Sequence, residues 1–476
     1  MVNVAKPGRV SSLLDFEMGT IQRELFCSPE LHQQEQERVF ARAWLFVGHE
    51  SQVPNPNDFF VSRMGEESVI MTRDRQGEVH VLLNTCMHRG MKVCRYDEGN
   101  TPVFSCPYHG WSFSTDGKLV SVPGELIGVP QFATAYHGEL EKENWGLVCV
   151  PKMHNYKGSI WATWDKNAPE FLDYVGGFKP YLDGLFDHRD GREGGSEVIC
   201  GVQKWRVPCN WKFSAENFAG DMYHGISHQS VELVGIGPGG TGQGRHGEDR
   251  RRRSDNQNGD AGGYAPRGIT SFPDLGHCAR GGPPAQRERG FPVFHSATGP
   301  LDNITLVQAY LDEVWEKRQR TLEGKLRTSV GGNVFPNMSF HAGFPRTILV
   351  SHPVGPMEME MWRWFLVDAD SPKEVKDLLR HYYTRYSGPG GMTEQDDMEN
   401  WNYAAAASTG TIAKRFPYNY MQGVCHALPA ETLPGAVVSD VMSSEENART
   451  LYRRWAQFMD AESWDDLYQK NQHGSL

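Results

Sequence analysis

Two short runs pair a thiol with an imidazole: Cys86-Met87-His88 and Cys106-Pro107-Tyr108-His109, with residues 89–105 between them. Two sulfurs and two nitrogens offered by paired loops suit a [2Fe–2S] cluster in which one iron takes both cysteines and the other takes both histidines. Neutral imidazoles in place of two thiolates make such a site less negative. It is then reduced more easily than an all-cysteine cluster, and its histidines can link electron uptake to proton uptake.

A zinc ribbon is the rival reading, because zinc also takes two cysteines with two histidines. Zinc loops usually open with two cysteines, whereas each loop here mixes the ligand types. Pro107 and Gly110 also let backbone N–H groups turn toward bridging sulfides. These features favour a cluster of Rieske type.

A second run, Glu216-Asn217-Phe218-Ala219-Gly220-Asp221-Met222-Tyr223-His224-Gly225-Ile226-Ser227-His228, carries two more histidines. A helix from about Trp211 to His228 would put Asp221, His224 and His228 on one face, where the two histidines can chelate one ion. A histidine pair alone is more often structural. The stretch Glu394-Gln395-Asp396-Asp397-Met398-Glu399 follows a Gly388-Pro389-Gly390-Gly391 turn. It reads blandly as an acidic helix N-terminus stabilised by the helix dipole. It reads functionally as the source of one carboxylate, completing a two-histidine, one-carboxylate triad that holds Fe(II) and leaves positions open for O2 and substrate. An electron-delivering cluster needs a destination. Zinc could take the same ligands but has no redox chemistry.

The elements that must position these residues follow from patterning. A chain of 476 residues suggests two or three domains. Ser28 and Pro29 open a helix expected over 29–45, with Leu31, Val39, Phe40 and Trp44 on its apolar side. From Phe59 to Val150, short β-rich runs (Glu67–Met71, Val79–Leu83, Val103–Ser105, Gly146–Val150) alternate with turns at Arg75-Gln76-Gly77 and Asp116-Gly117. This is a small all-β domain that contains both cluster loops. Beyond Trp161 lies a larger α+β region. Strands are expected at Val198–Val207, Ile304–Leu311, Asn333–Phe340, Arg346–His352 and Glu358–Asp368. Helices are expected at Pro372–Tyr386 and Ser443–Asp460, the second with a Ser443–Glu446 capping box and an apolar side of Leu451, Tyr452, Trp455 and Phe458. Residues 235–292 lose periodicity and include Arg250-Arg251-Arg252-Arg253; a solvated lid or entrance loop is preferred there over a binding patch.

A net charge of −11 argues against general nucleic-acid binding. No stretch is long and apolar enough for a membrane span, and Met1–Leu14 lacks a signal-peptide core. Of nine cysteines, the seven outside the cluster loops, Cys27, Cys94, Cys149, Cys200, Cys209, Cys278 and Cys425, lack framework spacing and read as buried or free thiols in a reducing cytoplasm.

Taken together, the cluster loops, the histidine run and the acidic run resemble, in order and approximate spacing, the large (α) subunit of a Rieske non-haem iron aromatic-ring-hydroxylating dioxygenase. The resemblance covers nearly the whole chain. It implies an α+β fold: a segment over 1–42 packing on the catalytic domain, an all-β Rieske domain over 43–163, and a catalytic domain over 164–476 of helix-grip type, antiparallel sheet plus helices. Carried over by position, Cys86, His88, Cys106 and His109 resemble the cluster ligands, and His224, His228 and Asp397 the iron ligands. Asp397 rather than Asp396 is taken as the ligand because the second acid of the pair aligns with the family's. Asp221 resembles the family's bridging aspartate, which links an iron-bound histidine to a cluster histidine of a neighbouring subunit. Asn217 resembles an amide close to the iron. Two departures stand out. Only residues 225–227 separate His224 from His228, a shorter gap than in many relatives. Tyr108 also stands where electron-transport Rieske proteins carry a second-loop cysteine.

The activity so implied adds both atoms of O2 to adjacent ring carbons, giving a cis-dihydrodiol in aromatic hydrocarbon catabolism. Electrons come indirectly from NAD(P)H through a reductase, a ferredoxin, or both. A β subunit in an α3β3 assembly is also implied. Phe218, Met222, Ile226, Phe335, Met338, Phe340 and Met392 are candidates for an apolar pocket, and Ser387 and Thr393 flank the acidic turn; apolar residues fill cores and pockets alike. Arg346 is expected at the surface, with a substrate carboxylate as the other reading. Two alternative functions share the motifs: a Rieske monooxygenase or O-demethylase, and an electron-transfer protein using the cluster alone.

Overall fold

The computed structural model describes residues 10–126, 133–136, 140–230, 269–280, 304–322 and 331–472, apart from Met222, Phe344, Asp440 and Met442. Two compact units result: residues 40–171, and residues 1–39 joined with 172–476. The first unit therefore interrupts the chain of the second. No helix among the described residues is long and apolar enough to cross a membrane.

The 40–171 unit is built of antiparallel sheets. Asp58–Met64, Glu67–Arg73, Val79–Leu83 and Glu98–Asn100 form one sheet, and Val103–Ser105, Ser112–Ser114 and Leu119–Ser121 another. The turns at Gly77 and Gly117 join the two expected hairpins; both glycines have positive φ, at 92° and 87°, the region that favours glycine in tight hairpins. Gly146–Val150 is not a strand. It contributes one isolated bridge, Cys149 to Leu82. Alternate residues of these strands face one core, where Phe59, Ile70, Leu82, Phe104 and Phe113 pack around Cys86, Cys106 and Trp111. The cluster loops are thus anchored by the same side chains that hold the unit together.

The other unit is organised on a nine-stranded antiparallel sheet. Ser196–Val207, Glu358–Asp368, Thr347–Gly355, Met338–His341, Gly331–Val334, His277–Arg280, Ile269–Phe272, Val437–Ser439 and Ala427–Pro429 follow one another across it. The Trp211–Gly220 helix packs over its middle strands, and the Glu446–Asp460 helix packs on that helix and on the 269–272 and 277–280 strands. Fully buried Trp211, Trp364, Trp455 and Tyr452 give this unit its bulk.

Several expectations are corrected. Ile304–Leu311 is the start of a helix, Ile304–Leu322, rather than a strand. Its β-branched opening suggests a strand, but the buried residues Val307, Leu311, Val314, Arg318 and Leu322 recur at helical spacing. The expected 29–45 helix is shorter: Ser28 Oγ accepts from Leu31 N at 3.2 Å and Pro29–Glu35 is α-helical, but a wide π turn covers Gln36–Phe40 and Leu45 opens a strand. The last long helix starts at Glu446 without the capping box; Ser444 Oγ accepts from Glu446 N, while Ser443 accepts from Gln422. Residues 269–280, inside the expected 235–292 loop, form a hairpin of the large sheet; Arg250–Arg253 lie outside the described residues. Arg346 is buried and paired with Asp368 at 2.9 Å, which excludes both the surface and the substrate reading.

Candidate metal centres

In the 40–171 unit the two cluster loops share one backbone design. Cys86 O accepts from Gly90 N and Cys106 O accepts from Gly110 N, both at 2.9 Å; Cys86 N reaches Met91 O and Cys106 N reaches Trp111 O. Gly90 and Gly110 have φ of 72° and 74°, so a residue with a Cβ would strain both turns. The repeated turn buries both thiols beside each other, with neither in a disulfide. The His88 and His109 rings lie 4.5 Å apart, and Trp111 stacks on His88 at 4.9 Å and 5°. Burial pushes the Cys86 thiol up, and its neighbour Cys106 adds to this. Burial, with the His109 and Arg89 charges, lowers His88, so its imidazole is neutral and offers a lone pair. His88 Nδ1 is buried with no hydrogen-bond partner, which a metal bond would satisfy. A buried thiol pair with an imidazole pair alongside fits the mixed ligation of a Rieske cluster.

The other unit brings together residues far apart in sequence. The Trp211–Gly220 helix ends where the Asn447 amide donates to Ala219 O at 2.7 Å. Gly220 is required by that approach, since a Cβ there would lie 2.2 Å from Asn447 Nδ2. The expected continuous helix to His228 is therefore broken at Asp221. Asp221 Oδ1 instead accepts from Tyr223 N and His224 N, starting a separate 3-10 turn over Tyr223–Ile226. The break swings the histidines together by another route: their ring centroids are 5.2 Å apart.

Asp397 enters from the first turn of the Glu394–Ser408 helix. Its Oδ1 lies 3.6 Å from His224 Nε2 and 3.4 Å from His228 Nε2. Ligand atoms of the three residues all fall within 4.8 Å of one another. Each histidine turns its second nitrogen toward another carboxylate: His224 Nδ1 lies 3.3 Å from Asp221 Oδ2, and His228 Nδ1 lies 3.1 Å from Asp396 Oδ2. The His228 contact is a hydrogen bond, which fixes the tautomer that leaves Nε2 free for a metal, whereas His224 Nδ1 approaches Asp221 without a hydrogen bond among the described residues. Burial pushes the Asp397 carboxyl up to about 6, although His224 and His228 pull it down. Burial also raises Asp221, but its bonds from His224 outweigh that and leave it below the usual range. The donor set, two imidazoles and one oxygen on one side, fits a ferrous ion with open positions.

Residues 43–132 match the Rieske [2Fe-2S] domain family, and residues 199–461 match the ring hydroxylating alpha subunit (catalytic domain) family. Biphenyl 2,3-dioxygenase subunit alpha of Rhodococcus jostii (strain RHA1) is 35% identical over 96% of this chain and 93% of its own. Biphenyl dioxygenase subunit alpha of Paraburkholderia xenovorans (strain LB400) is 36% identical over 97% and 95%. The chain belongs to the ring-hydroxylating dioxygenase α subunits. In structure it is similar to naphthalene 1,2-dioxygenase from Rhodococcus sp. bound to indole, with a TM-score of 0.73 and 33% identity over 93% of this chain and 95% of that one. As a member of this family it is an oxidoreductase with a Rieske [2Fe–2S] cluster and a non-haem iron, working with substrate, O2 and electron-transfer partners.

For this dioxygenase α subunit, the other expected site residues are placed unevenly. Asn217 is buried one turn before Asp221, and its carbonyl accepts from Asp221 N at 3.2 Å. Phe218 is buried, with its ring 5.3 Å from that of His341. Met392 is partly buried, and its N–H bonds Arg385 O. Ser387 and Thr393 are buried beside the turn. Phe340 and Met338 point away from the Trp211–Gly220 helix: Phe340 packs on Phe178 at 6.1 Å, while its neighbour His341 meets Phe218, as strand alternation requires. Phe335 packs on Phe458. Ile226 is 73% exposed and lines no apolar pocket among the described residues, and Met222 lies outside them. Two contributors escape the sequence reading. Asp396 serves the outer nitrogen of His228, and Glu394, bound to buried Arg363, pins the start of the helix that carries both aspartates. Their place in an acidic run was visible, but which way each would point was not.

Proposed function

We propose that His224, His228 and Asp397 hold the catalytic iron, that Cys86, His88, Cys106 and His109 hold the cluster, and that the reaction is cis-dihydroxylation of an aromatic ring. The observation that carries this reading is the convergence of both Nε2 atoms on Asp397 Oδ1, with a second carboxylate behind each imidazole. The iron, when bound, supplies O2 binding and the oxidising power. The chain's own residues supply the rest. His224 and His228 supply ring nitrogens, backed by Asp221 and Asp396, and Asp397 would neutralise part of the metal charge. Phe218 presents an aromatic face one turn before Asp221. Asn217 supplies an amide near the iron.

Asp221 has a second task in this proposal. Its carboxylate is partly exposed and lies 3.3 Å from one imidazole, so it can accept a second imidazole, a cluster histidine of a neighbouring α subunit, and couple charge between the two centres. The resemblance supports a ring of three α subunits with β subunits, a ferredoxin or reductase feeding the cluster from NAD(P)H, and a cytoplasmic location. The relatives named for biphenyl and benzene support an aromatic substrate.

Turnover under 18O2 with purified reductase and ferredoxin is the test. Two labelled oxygens in a cis-diol are expected; one labelled oxygen makes the enzyme a monooxygenase, and none removes the oxygenase reading. In Asp221→Ala, both metals stay loaded and reduction of the iron by the cluster slows severely; an unchanged single-turnover rate removes the bridging role.

A further inference from the structure

Three arginines of the large sheet are withdrawn from open solvent, and they differ in what meets them. Arg346 is held by Asp368, with Leu185 O and Asp187 O completing its fork. Arg363 is held by Glu394. Arg280, at the end of the His277–Arg280 strand, has no carboxylate within ion-pair distance among the described residues. Its hydrogen bonds are two long ones, Nε to Phe218 O and Nη2 to Asn217 O, each 3.4 Å. Both acceptors are main-chain carbonyls of the residues that precede Asp221, so Arg280 stands directly beside the iron triad. Its guanidinium lies 5.3 Å from the Phe218 ring. His341 approaches the same ring at 5.3 Å from two strands away. Gly331, opposite His341 in the ladder, makes that position possible, since a Cβ there would lie 3.1 Å from His341 Nδ1. Among the described residues, neither ring nitrogen of His341 has a hydrogen-bond partner, and burial, with the Arg280 and Arg363 charges, keeps it neutral.

Among the described residues, one aromatic ring next to the metal site is therefore flanked by a guanidinium without a counter-ion and an imidazole with an unused N–H. The nearest acids do not serve Arg280. Asp397 and Asp221 feel its charge, but each is already committed to the histidines, and a divalent ion in the triad would use up Asp397's charge. A cation left so is costly unless an anion arrives with the ligand. The planar fork matches a carboxylate with two parallel hydrogen bonds.

We infer that this site takes an aromatic substrate bearing a carboxylate, recognised by Arg280 with His341 as a second donor, while the ring packs on Phe218. The inference rests on the dioxygenase reading and adds the class of ring that the enzyme accepts. It sets this chain apart from relatives whose names specify uncharged hydrocarbons such as benzene and biphenyl.

Isosteric pairs test it: benzoate against benzamide, and 3-phenylpropionate against its amide, with toluene as the neutral reference. Binding is measured by anaerobic calorimetry on the metal-loaded protein, and turnover by oxygen uptake and product analysis. At least one acid is expected to bind tenfold or more tightly than its amide. Arg280→Leu should remove that preference, and Arg280→Lys, which keeps the charge and loses the fork, should keep part of it. Equal binding of acids and amides by the native protein, or an acid-to-amide ratio that survives in Arg280→Leu, overturns the inference. The two readings fail separately. Oxygen insertion into toluene with no acid preference leaves the dioxygenase reading and removes the carboxylate site. Acid binding through Arg280 without oxygen insertion into any of the five compounds does the reverse.

Discussion

The two metal centres are built on opposite plans. The proposed cluster ligands all come from residues 86–109, on two loops with the same glycine turn, and take their rigidity from the core that Trp111 and Phe113 share with the thiols. The proposed iron triad takes His224 from a 3-10 turn, His228 from the turn just after it and Asp397 from a helix far along the chain, with a carboxylate, Asp221 or Asp396, beside each imidazole. A closed, fully ligated cluster is specified by local spacing. An open site that must leave room for O2 and substrate has fewer ligands to define it, so an outer layer of acids takes over that work.

The contrast predicts that each centre fails alone. The largest effect is expected from Cys106→Ser, which removes a thiolate and with it the cluster. The g-anisotropic signal of the reduced protein disappears, turnover falls below detection, and thermal unfolding of the 40–171 unit shifts down because metal binding is coupled to folding there. Asp397→Ala should also abolish turnover, yet leave the cluster's visible absorbance intact. Equal loss of both metals in either variant would erase the distinction. Asp396→Asn comes next. It keeps all three ligands but removes the acid behind His228, so Fe(II) affinity should fall about 10–100-fold, read by competition with a chelator.

The smallest effect on the metal centres themselves lies in the helix leading to the triad, for which the cluster loops have no counterpart. Burial raises the Glu216 carboxyl to about 8, although bonds donated by Tyr452 and Tyr420 favour its charged form. The folded chain therefore keeps a proton that an unfolded Glu releases near ~4.3. The stability Glu216 contributes is full below that value and is lost as pH rises toward about 8. Glu216→Gln has no such proton to lose. Relative to the native protein, it should gain about 1.4 kcal/mol per pH unit at most across this window, measured by urea unfolding at several pH values. A pH-independent difference would place Glu216 in an ordinary ionised state.

Much of this was legible in the sequence, for physical reasons that differ by region. The hairpins at Gly77 and Gly117 follow from strand alternation and turn chemistry, which are local. The Glu358–Asp368 strand was read to the residue, and the Lys373–Tyr386 helix nearly so. The 304–322 helix was missed because Ile304, Thr305 and Val307 suggest a strand until the buried stripe is followed to Leu322. The break at Asp221 was missed because Asn447, from a distant helix, sets it. Arg346 was misplaced for the same reason, since its partner Asp368 sits on a neighbouring strand. Arg280 fell inside a segment whose composition suggests a loop. Pairing with Ile269–Phe272 on one side and Gly331–Val334 on the other makes that segment a sheet strand and brings the arginine to the site.

The central claim is that one chain holds a paired-iron cluster and a separate lone iron. It is tested most directly by metal analysis with electron paramagnetic resonance on His228→Ala beside the native protein. The native chain should carry about three irons, and the variant about two with an unchanged reduced-cluster signal. An unchanged iron content in the variant, or loss of the cluster signal together with the third iron, would contradict it.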